Sequence, residues 1–200
     1  MDKAASILKD ASFVKFDETF DIAMQLGVDP KDSSQIVRGA AMMPSGTGKN
    51  TKVAVICKDD KVQEALDAGA DKAGNQEIID SIKSGKLYYD SYIATPDMMA
   101  MVGQVARILG PKGLMPNPKL GTVTAKIADA VKNVKSGQVE FRVDKAGIIH
   151  AGIGKVSFAV EDIVKNSLAL LEAISKAKPA TTKGVYMKKL YLSTSMGPAL

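Results

Sequence analysis

The apolar residues of this chain change rhythm twice, and that change limits the folds open to it. Near the start they alternate: Phe16, Phe20, Ile22, Met24 and Leu26 fall on one side of an extended chain, with Asp17, Thr19, Asp21 and Gln25 on the other. This is the pattern of a half-buried strand. The stretch SQIVRGAAMM (34–43) reads as a second strand, and PSGTGKN (44–50) ends the pattern with proline, glycine and small polar residues. KVAVIC (52–57) is then almost continuously apolar, and helical patterns over 60–69, 76–85 and 126–137 alternate with short extended pieces near 70–74 and 89–95. Another helix opens at Pro96–Asp97, where a proline in the first turn beside an acid suits a helix start. Apolar strands alternating with helices imply a parallel sheet covered on both faces. Period two returns in QVEFRVD (138–144), whose Val139, Phe141 and Val143 oppose its polar residues. After the turn KAG, IIHAGIGKVSF (148–158) reads as its partner strand. A long helix with Ile163, Ser167, Leu170 and Ile174 on one stripe follows, then the loop KPATTKG (178–184) and a last strand in VYMKKLYLST (185–194).

These rhythms predict a mixed α/β and α+β chain. Residues 1–45 and 138–200 are expected to pair as a discontinuous two-layer α+β domain. Residues 46–137 are expected to form an inserted three-layer, Rossmann-like α/β domain with a parallel sheet. Hinges are expected near 44–50 and 135–137, where glycine-rich crossings join the two.

Charge follows the same division. The net charge is +5, a mild bias toward anionic partners. Residues 1–45 hold five basic and seven acidic groups, 46–137 thirteen and ten, and 138–200 nine and five. No carboxylate occurs from Met98 through Ala128, while Arg107, Lys112, Lys119 and Lys126 supply cations. Within that span, LGPKGLMPNPKLGTVT (109–124) is stiffened by Pro111, Pro116 and Pro118. On chemistry alone it reads equally as a passive connector or as an anion-facing surface.

Several chemistries are excluded. Cys57 is the only cysteine and His150 the only histidine, so disulfides and cysteine- or histidine-rich metal centres are ruled out. Cys57 reads as a small buried hydrophobe, and a reducing compartment is expected. No apolar run approaches the roughly 20 residues of a membrane span, and the first residues lack a secretory pattern. GTGKNT departs from a phosphate loop in its glycine spacing and in Asn50. GIGKVS lacks the last glycine of the dinucleotide fingerprint. No catalytic constellation survives, so the chain is not expected to be an enzyme or to carry a cofactor or metal. Two other readings remain: an enzyme holding a nucleotide in the inserted domain, or a protein-only scaffold.

ILGPKGLMPNPKLGTVT resembles the signature of the large-subunit ribosomal protein L-one family. FDETFDIAMQLGVDP, VRGAAMMPSGTGK, ATPDMM, VEFRVDKAGIIHAGIGKVSF and STSMGP resemble it too, in the family's order and across nearly the whole chain. The resemblance implies the discontinuous two-domain plan and a structural constituent of the large ribosomal subunit. It further implies binding to large-subunit rRNA at the mobile stalk near the tRNA exit site, and help in releasing deacylated tRNA. In bacterial members it implies repression of the protein's own messenger through a leader that mimics the ribosomal site. The expected setting is a cytoplasmic ribosome of bacterial type, or an organellar one, with the protein a monomer there and away from membranes.

Matched to the family's RNA-contacting segments, the implied RNA-binding residues are Lys15, Phe16, Glu18, Thr19, Asp144, Lys145, His150, Lys155, Ser157, Phe158, Ser193, Thr194, Ser195, Met196 and Gly197. Lys15, Lys145 and Lys155 would offset phosphate charge, and the hydroxyls of 193–195 would meet ribose and phosphate. Glu18 and Asp144 would accept from 2′-hydroxyls or base amines. Phe16 and Met196 would supply apolar contact, and Gly197 would let backbone approach RNA closely. Lys112, Asn117 and Lys119 form a secondary cationic loop. Two departures stand out. Family members commonly carry a basic segment before the helix that here starts at Asp2, so fewer phosphate contacts are expected. Ser195 stands where threonine is usual, which keeps the hydroxyl and loses a methyl contact.

Overall fold

The computed structural model describes residues 1–182 and 184–200; Lys183, in the loop expected over 178–184, lies outside them. In chain order the elements are α1 (Asp2–Asp10), β1 (Thr19–Leu26), β2 (Arg38–Met42), β3 (Val53–Ile56), α2 (Val62–Asp67), β4 (Lys72–Gly74), α3 (Gln76–Lys83) and β5 (Ser91–Ala94). They continue with α4 (Met99–Leu109), α5 (Ile127–Lys135), β6 (Gln138–Arg142), β7 (Ile148–Lys155), α6 (Val160–Lys176) and β8 (Met187–Thr194). Backbone contacts divide the chain into a terminal unit, Met1–Lys49 with Gly137–Leu200, and an inserted unit, Asn50–Ser136.

In the terminal unit, β1 is the central strand of an antiparallel sheet in the order β7-β1-β8. Its alternation is strict. Phe20, Ile22, Met24 and Leu26 are buried, and the residues between them are partly exposed. The buried row packs with Ile149, Ile153 and Leu192 of the flanking strands, with Ala5 and Leu8 of α1, and with Ile163, Leu170 and Ile174 of α6. One sheet face is thus covered by helices and the other is left open, a two-layer α+β arrangement. The strand begins later than the sequence rhythm suggests. Phe16 lies outside it and is 57% exposed, while Glu18 takes the inward place before Phe20.

β6 and β7 do not form the hairpin ladder expected of them. β6 pairs antiparallel with β2 from Arg38↔Arg142 to Met42↔Gln138, and β7 pairs with β1. Only a bridge at Val143↔Ile149 and the turn amides join the two. Each strand instead pairs along its length with a strand of the first 45 residues, β6 with β2 and β7 with β1, so the hairpin opens beyond its turn.

The inserted unit is a parallel sheet in the order β4-β3-β5. Because β3 and β5 are buried on both faces, their residues feed two cores. Ala54, Ile56, Tyr92 and Ala94 pack with α3 and α4 through Ile78, Ile82, Val102 and Val105. Val53, Val55, Cys57 and Ile93 pack with α2 and α5 through Ala65, Ile127 and Val131. Helix, sheet and helix make three layers, as the continuous apolar strands required.

The loop 46–49, expected with the inserted domain, joins the terminal unit instead. Asn166 of α6 causes this: its Nδ2 donates to Gly46 O (2.8 Å) and to Ile153 O (2.7 Å), and its Oδ1 accepts from Ser45 N–H (3.1 Å). Gly137, at φ 103°, lies so close to this loop that a Cβ there would sit 2.9 Å from Gly46 Cα. Only glycine fits.

Candidate nucleic-acid interface

The segment that feeds β1 is tied down by one carboxylate. Glu18 is 1% exposed; its Oε1 accepts from Ser12 Oγ at 2.5 Å and its Oε2 from the Met196 N–H at 2.8 Å. The Ser12 hydroxyl foremost, then the Met196 amide, holds this carboxyl below its ordinary value. Glu18 therefore faces inward and joins the loop after α1 to the turn after β8. The structure gives it a positioning place and leaves no oxygen turned to solvent for a ligand's donor.

The same junction gathers several other residues. Thr19 N–H donates to Ser195 Oγ at 3.1 Å. Lys155 Nζ donates to Thr19 Oγ1 at 2.9 Å and to Asp17 O at 3.3 Å. Ser157 donates to the Asp17 carboxylate from its amide (3.0 Å) and its hydroxyl (2.8 Å). Thr194 is buried, and a Cβ on Gly197 would lie 2.2 Å from its Oγ1. The glycine is thus required by a close approach within the protein. Phe158 is half-buried, packed on the core and on Gly154. Around this fixed centre, Lys15, Phe16 and Met196 stand exposed, Met196 at 59%.

A second group sits at the turn between β6 and β7. Asp144 Oδ1 accepts from the Ala146 and Ile148 N–H groups, each at 2.8 Å, and its Oδ2 lies 3.7 Å from His150 Nε2. The Ile148 amide foremost keeps this carboxyl low. Lys145 is exposed at the turn and His150 on the strand. In the sheet register Thr19 faces Lys155 and Ala23 faces His150. Four residues of strand separate the two groups along one open face, about 13 Å at the usual rise. Ser193 lies between, opposite Asp21.

Lys112, Asn117 and Lys119 belong to the inserted unit. Asn117 Oδ1 accepts from Lys119 N–H (2.9 Å), and Thr122 Oγ1 accepts from Asn117 N–H (2.8 Å), so the asparagine shapes its own turn. Lys112 and Lys119 are exposed. Sequence reasoning missed Ser12, whose partner Glu18 lies just along the same loop, Asp17, whose partner Ser157 lies on a distant segment, and Asp21 and Tyr191 on the open face. Alternation along β1 was the one available signal for Asp21. Among the described residues no group of three or more His, Cys, Asp or Glu side chains is placed to hold a metal ion.

Taken together, the chain is a two-unit protein, α/β inserted into α+β, with a surface of hydroxyls, amides and lysines of the kind that holds polyanions. It belongs to the ribosomal protein L1p/L10e family, whose sequence profile matches residues 8–198. It is 62% identical over 198 residues to the large ribosomal subunit protein uL1 of Orientia tsutsugamushi (strain Ikeda), covering 99% of this chain and 80% of that protein. It is 60% identical over 197 residues to the uL1 protein of Rickettsia akari (strain Hartford), covering 98% and 82%. This is a family of ribosomal proteins and not of enzymes.

Proposed function

We propose that this chain is a structural constituent of the large ribosomal subunit whose terminal unit grips large-subunit rRNA at the mobile stalk. The observation that carries this reading is the Glu18-centred junction. It fixes three segments distant in sequence, 12–19, 155–158 and 194–197, and leaves Lys15, Phe16 and Met196 exposed around them. Such a site is preorganised: the segments are ordered before RNA arrives, which lowers the entropy cost of binding. Structured RNA is held through phosphates, 2′-hydroxyls and unstacked bases, and lysine, hydroxyl and exposed phenylalanine groups answer these in turn. Family membership and the names of the Orientia and Rickettsia relatives support the ribosomal setting.

The proposal extends to contact with deacylated tRNA at the exit site, with the Lys112 and Lys119 loop as a secondary cationic surface. It extends also to repression of the chain's own messenger by a leader resembling the rRNA site. Bacterial relatives favour a bacterial-type ribosome.

The test is a binding titration of the chain with the stalk fragment of Orientia tsutsugamushi large-subunit rRNA, against a scrambled hairpin of equal length. The stalk fragment should bind more tightly. If about five phosphates are neutralised, its affinity should fall a few-hundred-fold between 50 and 200 mM salt. Equal affinity for both RNAs would defeat the reading.

A further inference from the structure

The open face of the β7-β1-β8 sheet contains a carboxylate that the junction does not use. Asp21 stands between Gly152 and Ser193, and the next outward residue, Ala23, stands between His150 and Tyr191. A Cβ on Gly152 would lie 3.3 Å from Asp21 Oδ1, so the glycine leaves room for the carboxylate over the sheet. Gly152 and Ala23 make a low floor, and exposed His150 and Tyr191 rise on its two sides.

The neighbouring acids are committed to the protein's own donors. Glu18 holds Ser12 and Met196, Asp17 holds Ser157, and Asp144 holds the amides of its turn. Asp21 differs: among the described residues its carboxylate accepts no hydrogen bond. Burial pushes this carboxyl up, and the charges of Lys155 and then His150 draw it back only in part. A negative group left without donors on a surface meant for RNA opposes phosphate binding. That cost is offset if the RNA itself brings the donors.

Two parallel N–H groups suit the two oxygens of a carboxylate, and the imino and amino groups of guanine are such a pair. A 2′-hydroxyl offers one donor. We propose that Asp21 is a specificity-determining residue that accepts the imino and amino N–H groups of an unpaired guanine laid on the Gly152–Ala23 floor. This rests on the reading that the terminal unit binds stalk RNA.

The experiment compares wild type and Asp21→Asn, full chain, on the Orientia stalk fragment and the scrambled hairpin, with every unpaired guanine replaced in turn by inosine. Removing an acid that merely repels would tighten binding. Removing a base-reading acceptor should weaken the stalk complex by about tenfold or more and leave its salt dependence unchanged. One inosine substitution should weaken wild type and have no further effect in Asp21→Asn. The inosine scan on wild type needs no variant to fold. Equal or tighter binding by Asp21→Asn, or a scan with no sensitive guanine, would overturn the proposal. So would a single 2′-deoxy substitution that cancels the effect of Asp21→Asn, since it would give the acceptor role to a ribose. If wild type fails to prefer the stalk fragment, the RNA reading falls and this inference with it. If wild type prefers it and Asp21→Asn does so equally, only the inference falls.

Discussion

Replacing Asn166 with alanine should cost the terminal unit more than any other single polar deletion in it. The side chain is fully buried and serves three backbone groups: Ile153 O, Gly46 O and Ser45 N–H. Ile153 is itself buried, so its carbonyl would lose its side-chain donor where water does not reach, at about 1–3 kcal/mol. Ser45 and Gly46 are partly exposed, so the groups they lose can turn to water. Those two bonds are worth about 0.5–1.5 kcal/mol each. The expected loss is therefore about 4 kcal/mol, a large share of the stability of an ordinary domain. Hydrogen exchange of the β1 and β7 amides reads the terminal unit alone, which avoids assuming that both units unfold together. Asn166→Asp should do worse at neutral pH, because it sets a carboxylate against two carbonyl oxygens. It should recover partly as pH falls and the new carboxyl protonates. A loss below about 1 kcal/mol for the alanine variant would refute the claim that this amide anchors the 44–48 loop.

Glu18→Gln should speed exchange of the Met196 amide and weaken binding of the stalk RNA, with the fold retained as judged by circular dichroism. Because its carboxyl is lowered in the folded chain, the clamp's contribution is complete above the unfolded carboxylate's pKa. It is lost as pH falls through the folded value, so Met196 exchange corrected for intrinsic rate should rise only in acid. Gly197→Ala should displace the turn after β8, since its Cβ would sit 2.2 Å from Thr194 Oγ1. Affinity for the stalk fragment, measured by titration, should fall by about tenfold, the equivalent of roughly 1.4 kcal/mol.

The layers of both units were legible because periodicity reports burial directly. Strict alternation gave the one-sided sheet around β1, and the apolar run at 53–57 gave a strand covered on both faces. Parity along β1 also contained the inward place of Glu18, two residues before Phe20, although the family resemblance put it among the RNA contacts. What was not legible depends on register between distant strands. Nothing local to Asp17 announces that it meets Ser157, 140 residues away. For the same reason the turn at 144–148 suggested a β6–β7 ladder, whereas each strand's better partner lay in the first 45 residues. The role of Asn166 was hidden because one buried amide inside an apolar helix stripe reads as a minor irregularity until its three partners are seen.

Lysine footprinting of the chain bound to the stalk fragment, read by mass spectrometry, tests most directly where the RNA sits. Lys15 and Lys145 should lose reactivity on binding, while Lys112 and Lys119 keep theirs. Protection confined to lysines of Asn50–Ser136, with Lys15 and Lys145 unchanged, would contradict the account.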